Sequence, residues 1–262
     1  MKALGVIPAR WASSRFPGKP LALIHGKPMI QWVISGARTS TELSDILVAT
    51  DDERIVKAAS DVGCRAVMTD SNLPSGTDRI FEASRKSGSD IILNIQGDEP
   101  LIDKTWIDPL VIALKDNIQD SLAGHQTLGQ RLSMVTLAHP IIDEDLSNSN
   151  AVKVLVNQKG QAIYFSRFPI PYSRHTAKEL GAGVPCFKHI GMYAFRADFL
   201  QHFCEAPVSA LERAEGLEQL RALDMGAVIK VILVEKPTLG VDTPEDLLKV
   251  EKWLEGRDEK ET

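Results

Sequence analysis

Cysteine is scarce in this chain. Three residues, Cys64, Cys186 and Cys204, are scattered through 262 positions. An odd, dispersed set fits neither a disulfide framework nor the spacing of zinc ligands, so a reducing cytoplasm is the simplest expectation. Long apolar runs are missing as well. The opening run is cut at Pro8, too early for a signal peptide, and no later stretch approaches the roughly 20 residues that span a bilayer. The chain is therefore expected to be neither exported nor membrane-embedded. An excess of positive charge is also absent, because 30 basic residues face 35 acidic ones for a net charge of −5. That excludes a general affinity for nucleic acid and requires any anion site to be local. Repeats and linker-like tracts are lacking too, while 44% hydrophobic and 25% charged residues are ordinary globular proportions. One domain over residues 1–255 is expected, followed by a polar tail over 256–262 that frays.

What is present has an alternating rhythm. Residues 3–9 form a short apolar run, an irregular cationic stretch follows over 10–19, and helical periodicity appears over 28–38. The same pairing recurs as a strand over 46–50 with a helix from Asp52, a strand over 65–68 with a helix after Ser75, and a strand over 90–96 with a helix after Asp103. Such units predict an α/β fold with a mostly parallel sheet flanked by helices. Beyond Leu132 strands cluster over 133–139, 151–156, 162–166 and 189–195, helices return from about Ser209, and a last strand spans 228–234. The second half is thus expected to be a more antiparallel subregion of a mixed sheet.

Ligands of such sheets sit at the carboxyl ends of the strands. The loop after the first strand, Arg10-Trp11-Ala12-Ser13-Ser14-Arg15-Phe16-Pro17-Gly18-Lys19-Pro20, carries three cations and two hydroxyls. Arginine forks match phosphate oxygens, lysine supplies a movable point charge, and Gly18 permits close backbone approach, so the loop suits a polyphosphate. It is not a Walker loop: Ser13 replaces the first glycine and Pro20 the magnesium-binding hydroxyl. The strand Ile91-Ile92-Leu93-Asn94-Ile95-Gln96-Gly97-Asp98-Glu99-Pro100 ends in two carboxylates, which can hold a divalent ion against a nucleotide phosphate or cap a turn before Pro100. Gln96, an amide ending an apolar strand, reads as functional. In Gly240-Val241-Asp242-Thr243-Pro244-Glu245-Asp246, Thr243 can cap the terminal helix with Asp246 as reciprocal partner, leaving Asp242 for other work, although an Asp cap is the alternative. Two such aspartates can share one magnesium. Ser75-Gly76-Thr77-Asp78-Arg79 reads as a turn entering a helix, equally suited to capping and to binding. Arg167, at the end of an apolar strand, can pair with an acid or lie on the surface, and His189 and Tyr193 read as core residues. Glu218 and Gln219 occupy an amphipathic helix whose default is a solvated face.

Together these segments resemble the 3-deoxy-manno-octulosonate (Kdo) cytidylyltransferases over residues 4–248. The resemblance also takes in Val48-Ala49-Thr50-Asp51, Asn150-Ala151-Val152-Lys153-Val154, Tyr164-Phe165-Ser166-Arg167, Lys188-His189-Ile190-Gly191-Met192-Tyr193 and residues 217–223. It implies a Rossmann-like, GT-A-type sheet with a dimerisation region, CTP and Kdo as substrates, Mg2+ as cofactor and a homodimer as the working form. By motif, Arg10, Arg15 and Lys19 are implied to hold the triphosphate, and Ser75, Gly76 and Arg79 to border the cytidine. Gln96, Arg167, His189, Tyr193, Glu218 and Gln219 are implied to surround the sugar acid. Asp98 and Asp242 are implied to ligate the metal, making Lys19, Asp98 and Asp242 the catalytic set. The implied reaction is transfer of CMP from CTP to the anomeric hydroxyl of Kdo for lipopolysaccharide synthesis. Members often carry an Arg-Asp pair where this chain has Ser173-Arg174-His175, which leaves 8-amino-Kdo or a sialic acid as alternative acceptors; a non-catalytic nucleotide-binding regulator is the alternative from another class. The polar segment 121–131 reads as a surface insertion.

Overall fold

The computed structural model describes residues 1–12, 16–124, 131–172, 186–235 and 239–258. The chain divides into two compact units, Met1–Val111 with Thr238–Thr262, and Ile112–Pro237.

In the first unit four strands lie parallel in the order β6, β1, β4, β5, with β1 Ala3–Ala9, β4 Asp45–Thr50, β5 Arg65–Met68 and β6 Ile91–Asn94. Strand β1 pairs from Leu4 against Asp45 to Ala9 against Thr50 on one side, and from Ala3 against Ile91 to Val6 against Asn94 on the other. Its near-continuous burial is what a strand covered on both faces requires, and it explains the unbroken apolar run in the sequence. Helices α1 Met29–Ala37, α2 Glu53–Ser60 and α3 Gly76–Ser84 bury Val33, Ile55 and Ile80 among others. Their starts obey local chemistry: Asp52 accepts from the Arg54 N–H and Ser75 from the Asp78 N–H. A two-stranded hairpin, β2 Leu23–Ile24 with β3 Lys27–Pro28, escaped the sequence reading because two residues per strand carry no periodicity. Helix α4, Lys104–Leu122, runs on from the first unit into the second and tolerates Pro109 near its start.

In the second unit the strands follow the order β11, β7, β10, β8, β9, with β7 Met134–Pro140, β8 Lys153–Val156, β9 Ala162–Ser166, β10 Cys186–Arg196 and β11 Ile229–Leu233. Only β7 and β11 are parallel here; β10 runs antiparallel to both β7 and β8, and β8 to β9. The expected antiparallel second half is therefore present. Strand β10 is longer than the sequence suggested, and a bulge between Ile190 and Tyr193 breaks its register, which masks its alternation. Helix α5 is Asp143–Ser147 and α6 is Ala197–Glu205; α6 was not expected before Ser209. Helices α7 Ala210–Glu215 and α8 Gln219–Asp224 follow, α7 with a full capping box between Ser209 and Glu212. Part of the 121–131 segment lies outside the described residues. Among the described residues no helix is long and apolar enough to cross a membrane.

The terminal helix α9, Pro244–Asp258, returns to the first unit and continues past Gly256. It is anchored by a cluster of Ile24, Met29, Val241 and Val250, ringed by Phe16, Trp32, Leu247 and Leu254. Its start is capped as the sequence implied, with one difference. Asp246 Oδ2 accepts from the backbone N–H groups of Asp242 (3.1 Å) and Thr243 (3.0 Å), while the Thr243 hydroxyl donates to the same oxygen instead of capping the helix itself. The Lys249 ammonium, 2.7 Å from Asp246 Oδ1, and these donors hold the Asp246 carboxyl at about 2 against the opposing effect of burial. A carboxyl lowered on folding stabilises above its unfolded pKa near 3.9, and the contribution is lost as pH falls toward the folded value. Asp246→Ala is expected to cost about 1 kcal/mol at pH 7, discounted for the exposed Lys249 partner, with the gap to wild type narrowing between pH 4 and 2 in denaturant melts. A gap independent of pH would refute the carboxylate cap.

Candidate active site

Parallel pairing brings the carboxyl ends of β1, β4 and β6 to one edge. Strand β1 stops before Arg10, β4 before Asp51, and β6 two residues before Gln96. A cavity of about 520 Å³ opens there, and its lining includes Arg10, Lys19, Gly76, Arg79, Gln96, Gly97, Asp98 and Asp242. Two glycines allow the close approaches that shape it. A Cβ on Gly97 would fall 2.7 Å from the Pro8 carbonyl oxygen, so only glycine lets the 96–98 turn lie against the end of β1. Gly18 has φ of +72°, donates its N–H to the Trp11 carbonyl at 3.0 Å, and would press a Cβ to 2.7 Å from the indole. The other partner of that indole is the Arg54 guanidinium, stacked 3.3 Å from the ring centroid. Trp11 thus holds the far end of the loop, where Lys19 begins a short 3-10 turn.

Lys19 joins the two aspartates. Its ammonium donates to Asp98 Oδ2 at 2.7 Å and to the Val241 carbonyl at 2.8 Å, and lies 3.7 Å from Asp242 Oδ1. The Val241 N–H in turn donates to the Asp98 carbonyl at 2.9 Å, so two segments more than 140 positions apart are stitched by one cation and one backbone bond. The lysine is largely enclosed at 14% side-chain exposure, whereas Asp98 and Asp242 keep 35% and 55% and face the cavity. Glu99 sits beside them, with Gly240 leaving it space. Burial first, then repulsion from Asp98 and Asp242, pushes its carboxyl up to about 8, with Lys19 opposing. Among the described residues, the Lys19 ammonium is thus met by the carboxylates of both Asp98 and Asp242.

Arg79 lines the cavity with its charge already paired: its guanidinium is 3.1 Å from Asp51 Oδ2 and also reaches the Thr69 hydroxyl. Asp51 further accepts from the Trp11 N–H at 3.3 Å, linking this buried pair to the loop. Ser75 caps α3, receives the Asp78 N–H and donates to Asp78 Oδ2 at 2.7 Å; its neighbour Gly76 reaches the cavity wall. Gln96, implied for the sugar, lines this same cavity. Arg15, and with it residues 173–175, lies outside the described residues.

The remaining residues implied for the sugar acid lie in the second unit. Arg167 donates through Nε to the Glu215 carbonyl (2.7 Å), through Nη1 to Ser149 (3.1 Å) and through Nη2 to Gly216 (3.3 Å). His189 places Nε2 3.0 Å from the Thr136 hydroxyl and packs between Phe165 and Tyr193, with ring centroids at 5.0 and 5.4 Å. Burial drives its pKa down to about 3, so it acts as a neutral hydrogen-bonding group. Tyr193 is buried, and burial together with the Glu218 charge pushes its phenol well above the ordinary value. Glu218 is the N-cap of α8, and Gln219, which is buried, is its first residue.

A family model described as cytidylyltransferase matches residues 4–231. The 3-deoxy-manno-octulosonate cytidylyltransferase of Bdellovibrio bacteriovorus is 52% identical over 254 residues, 97% of this chain and 98% of that one. The protein of that name from Solibacter usitatus is 46% identical over 96% of this chain and 94% of its own. Among solved structures, CMP:2-keto-3-deoxy-manno-octonic acid synthetase complexed with CTP matches with a TM-score of 0.88 and 41% identity, covering 98% of this chain and all of that one. The chain belongs to the 3-deoxy-manno-octulosonate cytidylyltransferase family. It is accordingly a nucleotidyltransferase with a Rossmann-like α/β fold, and enzymes of this type commonly use a divalent metal.

Family membership also marks what the residue-by-residue reading passed over. Asp51, Lys153 and Ser166 lie inside segments quoted for the resemblance yet received no role, while Trp11 and Arg54 owe theirs to a stacking that no spacing announces. Removing Lys19 leaves the carboxylates of Asp98 and Asp242 without their shared cation. Lys19→Ala is therefore expected to lose about thirty- to a hundredfold in kcat/KM for CTP, roughly 2–3 kcal/mol, with a much smaller change in the requirement for the sugar acid. Steady-state kinetics varying each substrate checks this, and unchanged values for both would remove the loop from the site.

Proposed function

We propose that this protein transfers CMP from CTP to the anomeric hydroxyl of 3-deoxy-D-manno-octulosonate, releasing pyrophosphate and forming CMP-Kdo for lipopolysaccharide synthesis. The observation that carries this reading is the convergence of Arg10, Lys19, Asp98 and Asp242 on one cavity, in a chain 41% identical to a synthetase solved with CTP. The sugar oxygen attacks the α-phosphorus as the bond to the β-phosphate oxygen breaks in line, so no protein nucleophile is required. Arg10 and Lys19 offset charge on the triphosphate and on departing pyrophosphate, and preorganised charge of this kind is a major source of rate enhancement. Asp98 and Asp242 already share one cation, the Lys19 ammonium, and hard carboxylate oxygens at partial exposure are the donors magnesium prefers when phosphates complete its shell. These two residues would hold Mg2+, which when bound supplies polarisation of the phosphate and activation of the sugar hydroxyl. Arg15 is proposed to add to the phosphate contacts, with Ser75, Gly76 and Arg79 at the nucleoside.

The sugar acid is proposed to be recognised by Gln96, Arg167, His189, Tyr193, Glu218 and Gln219. Neutral His189 offers hydrogen bonding and Arg167 the positive charge that a carboxylate needs. No observation favours 8-amino-Kdo, a sialic acid or a regulatory role, and turnover with the three acids in parallel checks the choice. We further propose a homodimer of single-domain nucleotidyltransferase chains in the cytoplasm, where thiols such as buried Cys64 and Cys186 persist.

Asp242 separates this reading from a structural one. Asp246, not Asp242, supplies the carboxylate cap of α9, so Asp242→Asn is expected to leave the melting temperature unchanged. Turnover at saturating magnesium should fall on the order of a hundredfold or more, because a neutral amide replaces an anionic oxygen at a hard-cation site. Asp98→Asn/Asp242→Asn should cost less than the product of the single losses, since both changes act on one ion. Near-normal turnover in Asp242→Asn would sink the shared-metal mechanism.

A further inference from the structure

Lys153 is wholly buried, and its ammonium donates three hydrogen bonds, all to backbone carbonyls: Asn148 at 2.9 Å, Ala151 at 2.8 Å and Arg167 at 2.6 Å. An ammonium has three N–H donors, so this set completes it. Glu215 closes on the same strand end from the other side. Its Oε1 accepts from the Ser166 hydroxyl at 2.7 Å and its Oε2 from the Arg167 N–H at 2.9 Å. Arg167 is thereby held at its carbonyl by Lys153 and at its amide by Glu215. Its guanidinium reaches Ser149, within the segment that Lys153 anchors, and the carbonyls of Glu215 and Gly216. Register sharpens the point, because Lys153 stands opposite Lys188 on β10, an unfavourable pairing of like charges. Lys188 is met by Asp145 at 2.9 Å, while Lys153 depends on carbonyls. An apolar side chain would fill the position without desolvating a charge, so fixing three carbonyls is what the lysine adds.

We propose that Lys153 and Glu215 are positioning residues that set the direction of the Arg167 guanidinium and, through Gly216, the start of α8 with Glu218 and Gln219, for recognition of the sugar acid. This rests on the sugar-acid reading of Arg167 given above. The test is steady-state kinetics on the full-length enzyme with CTP and Kdo, alongside CTP affinity by calorimetry without sugar. Lys153→Met keeps the length of the side chain and Glu215→Gln its shape. Each is expected to raise KM for Kdo roughly ten- to a hundredfold, with a smaller change in kcat and unchanged CTP affinity. Arg167→Ala should raise the same KM, and adding Lys153→Met or Glu215→Gln to it should raise it no further, because the positioned group is gone. If Lys153→Met fails to fold with three carbonyls left unpaired, Glu215→Gln and its double variant carry the same comparison. Should Arg167→Ala raise KM for Kdo while neither other variant does, or should the doubles be fully additive, the positioning role is overturned and the sugar reading stands. An Arg167→Ala enzyme with unchanged KM for Kdo would overturn the sugar reading, and the positioning role with it. CTP affinity falling in step with KM would also overturn the proposal, by showing a general loss of structure.

Discussion

One ammonium facing two carboxylates is the constraint around which the first unit is arranged. Lys19 reaches Asp98, Asp242 and the Val241 carbonyl at once, which is possible only if the first-strand loop, the end of β6 and the approach to α9 meet at one point. Each structural feature nearby serves that meeting. Trp11 and Gly18 fix where the lysine starts, Gly97 lets the Asp98 turn approach β1, and the apolar cluster around Val241 and Val250 returns α9 to the sheet. The upward shift of the Glu99 carboxyl belongs to the same balance, because a third negative charge there would be poorly solvated and repelled by both aspartates.

Much of this was legible in the sequence, and the reasons are local. The apolar run of β1, the four βα pairings and the Thr243-Pro244-Asp246 helix start all depend on neighbours within a few positions, so pattern and capping chemistry reveal them. The cation-bearing loop and the carboxylate-ended strand were recognisable by residue type for the same reason. What stayed hidden depends on tertiary partners. The sequence marked Asp98 and Asp242 as ion-holding residues but not that Lys19 lies between them. It could not show that Arg79 enters the cavity wall already paired with Asp51, or that the Thr243 hydroxyl donates where a cap would accept. The length of β10 was missed because a bulge between Ile190 and Tyr193 interrupts the alternation on which a strand reading depends.

The Arg79–Asp51 pair shows how binding and stability become entangled at such a site. Both side chains are nearly enclosed, at 3% and 10% exposure, and removing one member of a buried pair strands the other charge at a cost of about 3–5 kcal/mol. Loss of activity on removing Arg79 would therefore mix damage to the fold with damage to the proposed nucleotide pocket. Lys19 and the exposed aspartates do not carry that ambiguity to the same degree, since water can solvate what a substitution leaves behind.

The second unit handles charge differently, and the difference suits an anionic substrate. In the first unit, among the described residues, Lys19 and Arg79 of the cavity wall meet carboxylates, so their fields are largely matched. In the second, the guanidinium of Arg167 is oriented by carbonyl oxygens, and Glu215, the only acid bonded at that strand end among the described residues, directs its carboxylate to a hydroxyl and a backbone amide. Lys153 offsets the charge of Glu215 without touching it, through burial among carbonyl dipoles. Carbonyls are neutral dipoles: they can aim a guanidinium as firmly as a carboxylate does, but they leave its positive charge uncancelled. Counting Lys153, Arg167 and Glu215 together, one positive charge remains. An arginine paired with a carboxylate would have been equally well ordered and far less attractive to an acid. Holding the side chain with dipoles separates orientation from neutralisation, which is the condition a fixed site for a sugar carboxylate has to meet.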